Sequence, residues 1–346
     1  MTRRVAVYGA GSWGTAFSLV AADAGCEVTL WARRPELVDE INMTGENGDY
    51  LPGVELPQRV RATCDPADAA RGADIVVLAV SAQHVRGQLE GWRELWTPST
   101  KFVSLMKGVE LGTNKLMSEV IAEATGAWPD RIAVVSGPNL AREIVERKPA
   151  ATVVACADEG TAALVQGVCH TPYFRPYTNP DVIGCEVGGA IKNVIALAVG
   201  VTDGMGLGDN AKAALITRGL AEGTRLGVAM GADPLTFAGL AGMGDLVATC
   251  ASTLSRNHSF GFRLGSGLTV AEARKATTQT AEGVASCKAI EALGLRHGVE
   301  LPITEAMAAI IHHGQKPADV VDALMSRAPK AEAALLPDSV GSIRQA

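Results

Sequence analysis

Aromatic side chains make up only 4% of the 346 residues. The core must therefore be filled by Ala, Val, Leu and Ile, as where helices pack closely on a parallel sheet or on one another. A basic surplus is missing too. The net charge is −6, which excludes the electrostatic footprint of a nucleic-acid binder and makes any anionic ligand depend on local donors. The seven cysteines (Cys26, Cys64, Cys156, Cys169, Cys185, Cys250 and Cys287) form no C-x-x-C pair and are odd in number. They read as reduced thiols, not as a disulfide framework. The six histidines contain no H-x-x-x-H spacing, so no metal site is expected. The apolar run Val5–Tyr8 is too short for a secretory signal, and no stretch is read as a membrane span of roughly 20 apolar residues. The expectation is a cytoplasmic protein with no nucleic-acid partner and no membrane insertion.

What is abundant is apolar: 47% hydrophobic against 20% charged residues, enough for a large core. At about 150 residues per domain the length suggests two domains. In the first half, strand-like runs at Arg4–Tyr8, Glu27–Trp31, Asp74–Val80, Lys101–Met106, Arg131–Ser136 and Ala151–Ala157 alternate with helical patterns such as Thr15–Ala24 and Lys115–Thr125. That alternation predicts a parallel, doubly wound sheet. Thr44–Pro57, rich in Gly and Pro, reads as a loop excursion. Beyond Tyr177 the strand signals fade. Asn179 can cap a helix with Pro180 in its first position, and helical patterns follow at Glu186–Val201, Ala211–Leu226, Ala285–His297 and Glu305–His312, with a capping box at Thr269–Glu272. The expected division is a dinucleotide-binding domain over 1–178, a helical substrate domain over 179–330 and a tail over 331–346.

Gly9-Ala10-Gly11-Ser12-Trp13-Gly14 matches G-x-G-x-x-G. The motif is weak alone, but here a strand precedes it and a helix, a terminating Gly25 and a second strand follow, completing the βαβ unit of a Rossmann fold. Gly9 makes the tight turn, Gly11 admits a pyrophosphate, and Gly14 lets the helix pack on the strand with its N-terminus toward the anion. The second strand ends in Ala32-Arg33-Arg34, where an acid would signal NAD. Two guanidiniums suit a 2′-phosphate, so NADPH is expected to be preferred and NADH remains possible. The plainer reading is a solvated pair of arginines.

Other candidates stand where ligands collect, beyond the carboxyl ends of strands. Lys107 could pair with a phosphate or polarise a carbonyl, or be a surface lysine. Gly137-Pro138-Asn139 opens a short helix whose amides could receive an anion. Lys192 is the one charge in Val187–Val199. A lysine buried among apolar side chains holds its charge poorly, the property a general base needs, although it could instead snorkel to solvent. Asp245, after Gly239, Gly242 and Gly244, could orient Lys192, bind a substrate hydroxyl or simply cap a helix. Ser255-Arg256-Asn257 offers three consecutive donors at a helix start, the makings of a phosphate-sized site or of an ordinary cap.

Taken together, GAGSWGTA at 9–16, SLMKGVE at 104–110, SGPNLARE at 136–143, GGAIKNVIALAVG at 188–200, AGMGDLVATC at 241–250 and LSRNHSFG at 254–261 resemble the bacterial NAD(P)-dependent glycerol-3-phosphate dehydrogenase family, in order over roughly residues 4–325. The resemblance implies a Rossmann domain followed by an all-α domain of the 6-phosphogluconate-dehydrogenase C-terminal type, a homodimer, and interconversion of dihydroxyacetone phosphate and sn-glycerol 3-phosphate, mainly for glycerophospholipid synthesis. It implies that Lys192 is the proton acceptor. It also implies that Lys107, Gly137, Asn139, Asp245, Ser255, Arg256 and Asn257 meet the substrate. Cofactor positions match at Ser12, Trp13, Arg33, Arg34, Lys107, Ala141, Arg256 and Glu282, beside Gly9, Gly11 and Gly14, with Thr280 two residues before Glu282. Asn139 stands where the family usually has Ser or Thr, and Thr280 where it usually has an apolar residue. Two other readings compete: a related β-hydroxyacid or ketone reductase, which has no need of the anion cluster, and a non-catalytic NADPH sensor, which has no need of Lys192.

Overall fold

The structure, a computed structural model, describes residues 2–276 and 281–328. It divides into two compact units. The first comprises residues 2–106 and Met117–Val182, the second Lys107–Leu116 and the described residues from 183 onward.

The first unit is built on one eight-stranded sheet in the order β3-β2-β1-β4-β5-β6-β7-β8. Its strands are β1 (Arg4–Tyr8), β2 (Glu27–Trp31), β3 (Val60–Thr63), β4 (Ile75–Leu78), β5 (Lys101–Ser104), β6 (Ile132–Ser136), β7 (Ala150–Ala155) and β8 (Phe174–Asn179). From β3 to β6 every pairing is parallel, as the alternation of strands and helices requires. β7 departs from the expected pattern: it runs antiparallel to β6 and parallel to β8. Two strands went unread in the sequence, both at sheet edges. β3 is four residues of mixed polarity. β8 contains Pro176, which an edge strand tolerates. Asn179 therefore closes a strand, where the sequence suggested a helix cap, and its side chain accepts from the Asp181 amide at 2.8 Å.

β1 and β4 are buried along their apolar residues, covered on one face by the helix Ser12–Asp23 and on the other by Val85–Gly91 and Met117–Thr125. The few aromatics are concentrated. Tyr8, Trp31 and Trp92 meet at ring-centroid distances of 4.8–5.9 Å, and Trp96 closes on Tyr8 at 5.7 Å. They pack behind the C-terminal ends of β1 and β2, and Tyr8 donates to the Pro66 carbonyl at 2.7 Å. This firm backing holds the turn that follows β1.

The second unit is helical around Val182–Gly204. That helix has the length and mean hydropathy (1.7) of a membrane span, where the sequence reading found none, but 89% of the apolar window is buried inside the protein. Its last turns touch the helix Arg256–Gly265 backbone to backbone. A side-chain carbon added at Gly200 would lie 2.1 Å from the His258 carbonyl oxygen, and one at Gly261 would lie 2.1 Å from that of Leu197. Only glycine allows so close a crossing. The remaining walls are Asp209–Ala229, Glu282–His297, Pro302–His313 and Pro317–Met325. The Thr269 capping box forms as its sequence predicts. Lys107–Leu116, which the sequence reading placed in the first domain, clusters with this unit: Val109 and Leu116, bridged to each other, pack into its apolar core.

Candidate active site

The Gly-rich turn of the first unit has the features an anion cradle needs. Gly9 adopts φ +119°, and a carbon added there would meet the Ala79 carbonyl oxygen at 2.5 Å. One added at Gly14 would meet the Gly9 oxygen at 1.9 Å, so the helix can approach its strand only without a side chain. At Gly11 an added carbon meets nothing within 4 Å. Gly11 is also the N-cap of Ser12–Asp23 and offers no side chain to that helix, leaving first-turn amides for an incoming anion. Trp13 packs edge-on to Phe17, and its buried indole N–H finds no acceptor. The Thr44–Pro57 excursion supports the turn. The amide of Asn47, 1% exposed, donates to the Ala10 carbonyl at 2.9 Å and to Thr15 Oγ1 at 2.8 Å, and Ser12 Oγ donates to the Tyr50 carbonyl at 3.4 Å. Sequence reading missed Asn47, because nothing local says that a loop asparagine will reach a turn 37 residues away. Space beside Gly11, an uncapped helix start and an orphaned buried donor together fit a dinucleotide pyrophosphate.

The two arginines after β2 are not equivalent. Arg34 forms an ion pair with Asp49 at 2.5 Å. Arg33 is exposed and makes no ion pair among the described residues. Both guanidiniums are exposed, and Arg34 alone has an acid beside it.

After β6, Gly137 takes φ +141° with its backbone against Thr152. Asn139 donates from Nδ2 to Thr152 Oγ1 at 3.0 Å, and Thr152 spends its own proton on the Ser136 carbonyl at 2.9 Å. That commitment fixes the amide's orientation and leaves Asn139 Oδ1 a buried acceptor without a partner. Ala141 begins the helix Ala141–Val145, which no side chain caps.

In the second unit, Lys192 sits in the middle of Val182–Gly204, 8% exposed. Its ammonium donates to Asp245 Oδ1 and, at 2.8 Å, to Thr249 Oγ1. Lys107 donates to the other oxygen, Oδ2, at 2.5 Å. Asp245, 1% exposed, opens the helix Asp245–Ala251 directly after a π-turn at Leu240–Gly244. Backbone from this turn reaches the lysine helix at Gly188, where an added carbon would lie 2.7 Å from the Ala241 oxygen. Of the glycines before Asp245, Gly242 packs on the backbone of Phe237, where an added carbon would lie 2.2 Å from the carbonyl oxygen. Burial pushes the Asp245 carboxyl up, but the two ammoniums outweigh it and leave the acid below its usual range. Burial pushes the Lys107 ammonium down, to about 8, against the pull of Asp245 and with the help of Lys192. One carboxylate between two amines gives a buried cluster with a positive surplus.

Three hydrogen bonds in series tie this cluster to its surroundings. Asn193 donates to the Lys107 carbonyl at 3.0 Å, Asn257 donates to Asn193 Oδ1 at 2.9 Å, and the Gly283 amide donates to Asn257 Oδ1 at 3.0 Å. Ser255 caps its helix by accepting from the His258 amide at 3.2 Å. Of the three expected anion donors, Asn257 therefore has much of its amide committed within the protein. Arg256 is exposed, with no hydrogen bond or ion pair among the described residues. Glu282 begins the next helix. Burial raises its carboxyl, opposed by Arg256, Lys192 and Lys107. Thr280 lies outside the described residues. Thr249 was missed in the sequence, although it stands four residues after Asp245 and so on the same helix face.

A Rossmann turn that accepts a dinucleotide, with a buried amine–carboxylate cluster able to move a proton, defines a nicotinamide-dependent oxidoreductase. Comparison narrows the class. The family described as NAD-dependent glycerol-3-phosphate dehydrogenase N-terminus matches residues 4–162, and its C-terminus counterpart matches 181–322. The glycerol-3-phosphate dehydrogenase [NAD(P)+] of Streptomyces avermitilis is 64% identical over 329 residues, 95% of this chain and 98% of that one. That of Thermobifida fusca is 62% identical over 330 residues, again 95% and 98%. The crystal structure of the Coxiella burnetii glycerol-3-phosphate dehydrogenase superposes with a TM-score of 0.90 at 37% identity, covering 94% of this chain and 99% of that one. The chain belongs to the NAD-dependent glycerol-3-phosphate dehydrogenase family and is an NAD(P)-dependent oxidoreductase.

Proposed function

We propose that this enzyme interconverts dihydroxyacetone phosphate and sn-glycerol 3-phosphate, running mainly toward glycerol 3-phosphate for glycerophospholipid synthesis. The observation that carries the reading is the pair of lysines on one buried carboxylate, Lys192–Asp245–Lys107. A bound nicotinamide supplies or accepts the hydride. Lys192 gives its proton to the developing alkoxide in reduction, and as the neutral amine takes the hydroxyl proton in oxidation. Asp245 holds both amines and returns charge balance after the transfer. Lys107 adds positive charge where the carbonyl oxygen becomes an oxyanion. Arg256, with the helix start at Ser255, receives the substrate phosphate. NADPH is the preferred cofactor, and Arg33 supports that preference as the uncommitted cation after β2.

The test is NADPH oxidation with dihydroxyacetone phosphate, dihydroxyacetone and a 3-keto acid. The expected kcat/KM for dihydroxyacetone phosphate exceeds that of the other two by at least about 10²-fold. Equal turnover of the unphosphorylated ketone would reject the phosphate role, and preference for the acid would favour a β-hydroxyacid reductase.

A further inference from the structure

Between Ser255 and His258 every residue but Arg256 is buried: Ser255 is 5%, Asn257 7% and His258 9% exposed. A helix start normally frays, yet this one is held on two sides. On one side Asn257 is fixed by Asn193 and Gly283. On the other, His258 Nε2 meets Asp203 Oδ2 at 2.8 Å, and Asp203 Oδ1 accepts from Lys212 at 2.9 Å. Lys212 also pairs with Asp209 at 2.8 Å. The His258 carbonyl rests against Gly200, so the contact is set by backbone as well as by charge.

Two features give this chain of pairs a purpose beyond packing. Asp203 lies on the same helix as Lys192, eleven residues further on. A straight helix turns that separation into a fixed length of roughly 16 Å, so one rigid element positions both the proton-transfer amine and the anchor of the Arg256 turn. An acid near an anion site would also repel the anion. Here the Lys212 ammonium offsets the charge of Asp203, and His258 Nε2 occupies its other oxygen.

We infer that His258, Asp203 and Lys212 form a brace that sets the Ser255-Arg256-Asn257 turn for the substrate's phosphate, which makes His258 and Asp203 positioning residues. The inference rests on the reading of that turn as the phosphate site. Its readout is the split between KM and kcat, because the brace acts on phosphate binding and not on proton transfer. Inorganic phosphate serves as the probe, through its competitive Ki against dihydroxyacetone phosphate in the full-length enzyme. His258→Phe fills a similar volume but cannot bond Asp203. It should raise both the KM and the phosphate Ki by about tenfold, with kcat at saturation within about threefold of wild type. Asp203→Asn keeps a hydrogen-bonding group opposite His258 and should show a much smaller rise in both, about threefold or less. An unchanged Ki and KM in His258→Phe overturns the brace, as does a fall in kcat with KM unchanged. Arg256→Ala separates the two levels. If it leaves the phosphate Ki untouched, the turn is not the phosphate site and the reading beneath the brace fails. Should His258→Phe not fold, Lys212→Met tests the same brace from its solvent end, with a rise in Ki of about threefold expected and no change overturning it.

Discussion

The two units solve their binding problems in opposite ways. The turn of the first unit is made of backbone, space and unmet hydrogen-bonding capacity: a gap beside Gly11, an uncapped helix start and the Trp13 indole N–H. It is complete only when something polar and anionic arrives. The cluster of the second unit is made of side chains that satisfy one another, with Asp245 between two ammoniums and Asn193 and Asn257 linked in series. Its groups are set before any substrate comes. Backbone cradles are specified by glycine at fixed spacing, whereas clusters of side chains depend on tertiary placement.

The largest effect should come from removing Lys192, the base of the proposed reaction. Lys192→Met keeps the length of the side chain and loses its proton. The expected loss in kcat is about 10²–10⁴-fold, with NADPH binding unchanged because the Gly-rich turn belongs to the first unit. Near-normal kcat in that variant would end the assignment, and a parallel loss of NADPH binding, read by fluorescence titration, would break the contrast between the units.

A second test removes the carboxylate that both amines share. Asp245→Asn leaves two buried lysines facing a neutral amide. Breaking such a pair typically destabilises by about 3–5 kcal/mol. The pH dependence has a definite sign. The folded Lys107 ammonium already lies at about 8, below the ordinary lysine value, because burial disfavours its charge. The unfolded chain therefore binds more protons between that value and about 10.4, and the contribution of Lys107 to stability rises with pH across this window. Without Asp245 the depression deepens, so the variant should recover stability toward alkaline pH more than wild type does. Denaturant melts at pH 7 and pH 9.5 measure this. A variant whose deficit is the same at both would show that the lysines were not held charged by Asp245.

These contrasts also explain what could be read in the sequence. The glycines, the alternation of strands and helices, and the lone charge of Lys192 were legible because each breaks a local pattern. β3 and β8 were not, since an edge strand needs neither length nor a continuous apolar run. The reversal of β7 has no local signal. The Arg34–Asp49 pair was equally hidden, because a loop acid 15 residues on decides which arginine stays available.

That hidden pair makes the cofactor contrast sharper than two arginines in a row suggest. Arg33→Ala should lower the ratio of kcat/KM for NADPH over NADH by about tenfold, while Arg34→Ala should change it about twofold or less. Equal effects from both would show that Asp49 releases Arg34 when a 2′-phosphate binds.

A last test asks whether the self-satisfied character of the second unit has an exception. Glu222, 3% exposed on the helix Asp209–Ala229, caps Pro302–His313 by accepting from the Ile303 amide at 2.7 Å and the Thr304 amide at 3.4 Å. Burial pushes its carboxyl up to about 7, opposed by those amides and by Arg225, with Glu305 adding to the rise. Because the folded value exceeds the unfolded one, the folded state binds more protons between about 4.3 and 7. The contribution of Glu222 to stability is therefore present in acid and lost as pH rises through 7. Glu222→Gln removes that slope. Its oxygen can still accept from Ile303, but its amide nitrogen then faces the Thr304 donor, so the variant should melt below wild type at pH 5. At pH 8, where wild type carries a buried carboxylate, the gap should narrow by about 2–3 kcal/mol, roughly 5–10 °C in Tm. A gap that stays constant from pH 5 to pH 8 would mean that the helix N-terminus already keeps Glu222 charged throughout, and that this carboxylate is as fully satisfied as Asp245.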